Sequence, residues 1–151
     1  MAGKLASRIR IWLPIAVVAM GSVGCAGRGG EGAPAKVDQI AELQAHEWSV
    51  RQMDGQPIAE RSRITLRFGQ DGRLAGSASC NRYNAANSSK ADQLSVSQAM
   101  ATRMACPAPL MDQEQHFLEL LGRVSRYGIG ADGMLRLLTE DGRAVVASPV
   151  P

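Results

Sequence analysis

The sequence predicts a mainly β domain with one inserted α-helix, and three observations carry that prediction. Apolar and polar residues alternate in short runs between Trp48 and Ala147, the period of a half-buried strand. Asp-Gly dipeptides, which suit turns needing positive φ, fall at Asp54-Gly55, Asp71-Gly72, Asp132-Gly133 and Asp141-Gly142. One segment behind Pro109 changes to helical spacing.

The chain opens on Lys4, Arg8 and Arg10, an apolar stretch from Ile11 to Met20, and the small residues Gly21, Ser22, Val23 and Gly24 before Cys25. Basic, apolar, small is the order of a secretory signal. The uncharged run is interrupted by Pro14 and is shorter than the ~20 residues that span a bilayer as a helix. Residues 1–24 are therefore expected to be a lipoprotein signal peptide. Ser22-Val23-Gly24-Cys25 resembles a lipobox, with Ser22 where leucine is usual, so Cys25 is the expected lipidation site. The alternative is ordinary cleavage near Gly27. Two or more acyl chains give stable anchoring where one does not. By resemblance to sorting signals, Ala26 after the cysteine implies the periplasmic face of the outer membrane.

The formal charge of +3 belongs to the leader, because residues 1–24 hold three basic residues and no acidic one. Without them the net charge falls to zero, and basicity offers no argument for nucleic-acid binding. Residues 25–46 read as a flexible tether rich in Gly, Ala and Pro at its start, with a short helix conceivable over Val37 to Ala45. Residues 47–148 form the expected domain, long enough for one core and too short for two.

Within it, Trp48 and Val50, then Ile64, Leu66 and Phe68, then Leu74, Gly76, Ala78 and Cys80, share one parity in successive strands. Leu94 and Val96, Leu135 and Leu137, and Ala144-Val145-Val146-Ala147 continue the pattern, and tight turns make the sheet antiparallel. Between them Leu110, Met111, Phe117, Leu118, Leu121 and Val124 fall on one helical stripe. Asp112 and Glu114 near its start and Arg123 and Arg126 near its end would complement the helix dipole. The segment from Asn81 to Ala91 reads as a polar loop, and Met100, Met104 and Met111 as gap-fillers of the core.

Cys80 and Cys106 are separated by one excursion in an exported chain, so a disulfide is the expected pairing. Two reduced buried thiols, or a zinc site with His116, are the alternatives, although the paired short intervals of common zinc sites are missing. A catalytic cysteine would need His46 or His116 as its base, and nothing near either supplies an oxyanion nest. No enzyme, cofactor or metal is expected. If Cys80 faces inward, Asn81 and Tyr83 lean outward. Arg82, Tyr83 and Arg103 then have the composition of an interface, or Asn81 caps a turn and the arginines brace the loop.

These residues together resemble the META domain family, which includes heat-shock lipoproteins. The resemblance rests on Trp48, Asp71-Gly72-Arg73 leading to Gly76, Cys80-Asn81-Arg82-Tyr83, Thr102-Arg103-Met104-Ala105-Cys106, the Glu114 to Leu121 helix and the Leu135 to Gly142 hairpin. Ser79 and Ala85 stand where the family has glycine. The resemblance implies a small antiparallel open barrel, lipocalin-like and related to secretin-pilot lipoproteins, without established catalytic residues and associated with envelope stress. Two functions are compatible with it. One is an interaction or chaperone-like module contacting an envelope protein through Asn81, Arg82, Tyr83 and Arg103. The other is a barrel holding an acyl chain or other apolar ligand, which would need a lined cavity.

Overall fold

A computed structural model of the protein describes residues 36–151. The expected signal peptide, the anchor at Cys25 and the first part of the tether lie outside the described residues. Helix α1, Lys36–Ala45, occupies the end of the segment read as tether. Its Leu43 is buried and Ile40 packs against the core. Trp48, fully buried, donates its indole N–H to the Leu43 carbonyl at 2.9 Å, which ties the helix to the first strand.

The strands are β1 (Glu47–Met53), β2 (Gln56–Pro57), β3 (Thr65–Phe68), β4 (Arg73–Ser77), β5 (Arg82–Lys90), β6 (Gln93–Val96), β7 (Met100–Ala101), β8 (Val124–Ile129), β9 (Leu135–Thr139) and β10 (Ala144–Pro149), with helix α2 (Ala108–Leu121) between β7 and β8. All registered pairs are antiparallel. Neighbours run β10-β9-β8-β6-β5-β4-β3-β1, and β1 also pairs β10, with Trp48 opposite Pro149 and Val50 opposite Ala147. Among the described residues, eight strands thus close on themselves. The expected open barrel is a closed one, with short β2 and β7 attached to its wall, and it carries two helices. Closure removes the free edges that an open sheet would present.

All four Asp-Gly turns are present, and Gly55, Gly72, Gly133 and Gly142 have φ between 70° and 84°. They serve the hairpins β1–β2, β3–β4, β8–β9 and β9–β10. The barrel is filled by Trp48, Leu66, Phe68, Leu74, Tyr83, Leu94, Leu120, Leu135 and their neighbours, each no more than about 2% exposed. Inward residues of the strands and the Phe117-Leu120-Leu121 face of α2 make one continuous apolar core.

Three further expectations are corrected. The polar segment 81–91 is a strand, β5, whose inward positions Ala85, Asn87 and Ser89 are small or polar and half-buried. Helix α2 ends at Leu121, so Val124 opens β8 and the two arginines lie beyond the helix, where Arg123 reaches Glu119 at 3.5 Å and Asp141 at 3.8 Å. Met100, Met104 and Met111 are 77%, 58% and 44% exposed, whereas Met53 is the methionine that fills the core.

Gly76 marks the tightest approach in the wall. A Cβ there would collide with the Thr65 carbonyl on β3, backbone that cannot swing aside. Gly76→Ala is therefore expected to lower stability by about 1–3 kcal/mol, as overpacking does. An unchanged denaturation midpoint would show that β3 and β4 part easily at this point.

Candidate functional site

Cys80 and Cys106 form a disulfide with Cα atoms 6.2 Å apart, joining the β4–β5 turn to the segment before α2. The zinc reading falls with it, since both sulfurs are taken and His116 instead faces Asp54 and Arg143. Ala78 N donates to Asn81 O at 2.7 Å, so Ser79 and Cys80 are the two central residues of a hairpin. Ser79 has φ of 92°, the positive angle that the first central position of a type II′ turn requires. A glycine there would take this angle without strain. Serine tolerates the angle at a cost, and its hydroxyl pairs with that of Ser62 at 3.0 Å.

Cys80 is therefore a turn residue and not the inward end of a strand, and the parity beyond it is the reverse of the one expected. Asn81 and Tyr83 are inside, 3% and 1% exposed, while Arg82 points out. Tyr83 packs edge-on against Phe117 with ring centroids 5.5 Å apart, and its hydroxyl donates to the Thr65 carbonyl at 3.0 Å. Burial drives its pKa far above the ordinary phenol value. Neither residue is available for contact.

Asn81 is instead the knot of this region. Its backbone N–H donates to Glu114 Oε2 at 2.7 Å and its Nδ2 to Glu114 Oε1 at 3.0 Å. Its Oδ1 accepts from Thr102 Oγ1 and from Met104 N, both at 2.8 Å. The three motifs 80–83, 102–106 and 114–121, far apart in the chain, meet on this one amide. Glu114 and Thr102 as its partners are invisible to sequence reasoning, because a polar residue next to a cysteine reads as surface until a carboxylate from another element is placed against it.

The knot and the disulfide hold a segment that turns its other side to solvent. Thr102 N donates to Arg82 O at 3.0 Å, and Met100 lies opposite Asn84 across the β5–β7 pair. Arg82, Met100, Arg103 and Met104 are all exposed. Among the described residues, neither arginine makes an ion pair, so two free guanidiniums and two free thioether side chains stand on a braced stretch of backbone.

A second polar cluster joins three elements elsewhere on the barrel. Arg143 reaches Asp54 Oδ2 through Nη2 at 2.7 Å, His116 Nε2 lies 2.9 Å from the same oxygen, and Glu119 is 3.5 Å from Arg143. The Arg143 hydrogen bond, with a smaller contribution from His116, holds the Asp54 carboxyl below its usual pKa against the effect of partial burial. The cluster staples the β1–β2 and β9–β10 turns to α2.

No curated protein matches the chain. Among solved structures it is similar to a protein from Burkholderia xenovorans determined by NMR, at 26% identity and a TM-score of 0.60, covering 74% of this chain and 87% of that one. A second NMR structure aligns at 22% identity and a TM-score of 0.57, over 70% of this chain and 91% of the other. The crystal structure of a DUF4847 family protein from Bacteroides vulgatus shares the fold at 14% identity and a TM-score of 0.54, over 70% and 93% of the two chains. The META domain model matches residues 41–150, which takes in the end of α1, all ten strands and the braced segment. The chain belongs to the META domain family.

Proposed function

We propose that this protein is a non-enzymatic lipoprotein of the bacterial envelope, anchored through Cys25 to the periplasmic face of the outer membrane, whose META domain captures an envelope protein and whose loss matters under stress. The observation that carries the reading is the exposed set Arg82, Met100, Arg103 and Met104 on backbone that a disulfide and Asn81 hold rigid. Arginine and methionine are enriched at interfaces, and a braced loop loses little entropy when a partner binds. An acyl chain inside the barrel has less support, because Trp48, Phe68, Tyr83 and Phe117 already occupy the interior.

Co-purification from crosslinked envelopes tests the proposal. Arg82→Ala combined with Arg103→Ala is expected to abolish partner capture while leaving the melting temperature within a few degrees of the parent, since both side chains are exposed and make no ion pair among the described residues. Capture that survives in the folded double variant would move the contact surface elsewhere. A mature form that begins at a residue other than Cys25, or that carries no lipid by intact mass, would remove the membrane anchor.

A further inference from the structure

On the outer wall beside this segment, Arg63, Arg67 and Arg82 surround a recess of about 470 Å3. Its floor is the small residues of β4. Ala75 lies opposite Arg67 on one side and Asn84 on the other, and Ser77 lies opposite Arg82. The recess coincides with an interruption in the β3–β4 ladder. Ser77 N donates to the Thr65 hydroxyl at 3.1 Å, because the Thr65 carbonyl is taken by Tyr83, and the ladder resumes at the bridge of Ile64 with Ala78.

The charges around it do not cancel. Glu47, on the rim, lies 4.0 Å from Arg63 and compensates one guanidinium. Arg67 and Arg82 are exposed and make no ion pair among the described residues, in a chain whose charge is balanced once the leader is set aside. Two guanidinium forks facing a floor of small side chains suit planar carboxylates, each held by paired N–H donors. Next to them Met100, opposite Asn84, presents an apolar contact.

Resting on the interaction reading above, we infer that the recess receives an acidic segment of the partner protein, with carboxylates at Arg67 and Arg82 and an apolar side chain on Met100. A flat anionic bilayer fits less well, since its headgroups would have to enter a concavity whose rim carries the Glu47 carboxylate. The side chains of an extended peptide enter one at a time.

The test places a photo-crosslinking amino acid at Asn84, inside the recess, or at Met104, outside it, in the full chain expressed in cells. Illumination at Asn84 is expected to give an adduct with one protein, and peptide mapping to find the joined segment rich in Asp and Glu. Arg67→Gln with Arg82→Gln should cut that yield at least about tenfold. The pair Arg67→Lys and Arg82→Lys keeps charge without the fork and should retain part of the yield, which separates recognition from folding. A protein adduct at Met104 with none at Asn84, an Asn84 adduct with a neutral or basic protein segment, or an Asn84 phospholipid adduct beside a protein adduct at Met104, overturns the acidic-segment inference while the interaction reading stands. Protein adducts at neither position overturn both.

Discussion

Replacing Cys80 and Cys106 together by alanine is expected to lower the stability of the domain by about 2–5 kcal/mol. The bond closes a separation of 26 residues, for which the chain-entropy account gives roughly 3.5 kcal/mol. Its location raises the consequence beyond the entropy. The loop it closes contains β5, β6 and β7, and its far end holds the segment that enters α2. Chemical denaturation of the parent, the reduced parent and the double variant would measure the effect, with the last two coinciding. A midpoint shift corresponding to less than about 0.5 kcal/mol would mean that the Asn81 knot alone holds the segment.

Asn81→Ala is expected to cost about 2–4 kcal/mol with the disulfide intact. It strips Glu114 of one of two donors and leaves Met104 N and the Thr102 hydroxyl without their acceptor, and unpaired groups of this kind cost about 1–3 kcal/mol each when buried. Asn81→Asp makes a sharper comparison. It keeps the shape and the acceptor but turns the Nδ2 donor into an oxygen facing the Glu114 carboxylate, and two carboxylates in one site cannot both ionise cheaply. Its deficit relative to the parent should exceed that of alanine at neutral pH. A deficit no larger than that of alanine would place the two carboxyl groups apart in solution.

The expected contact residues divide between these outcomes. Arg82 and Arg103 are on the surface, as a reading of arginine in a polar segment anticipates. Asn81 and Tyr83 are structural, and one backbone angle makes the difference. Strand parity can be counted along the chain only while every residue is extended, and Ser79 at φ of 92° ends the count. The tight turn resets which face each following side chain takes, so Tyr83 lies on the inward face opposite Gly76.

What the sequence determined by itself is everything governed by neighbours along the chain. Asp-Gly placed the turns because glycine alone reaches positive φ without strain, and alternation placed the strands that carry large apolar residues on one face, such as Ile64, Leu66 and Phe68. The change to helical spacing placed α2. Tertiary structure decided the rest. β5 has no apolar stripe, since its inward positions hold Ala85, Asn87 and Ser89, and it is a strand because β4 and β6 supply its hydrogen bonds. β8 was hidden by the register shift between Val124 and Arg126, which breaks the period within the strand. Closure of the barrel through β1 and β10, and the meeting of Asn81, Thr102 and Glu114, join residues far apart in the chain. Neither leaves a local trace, because the free energy of a buried amide depends on which distant groups the fold brings to it.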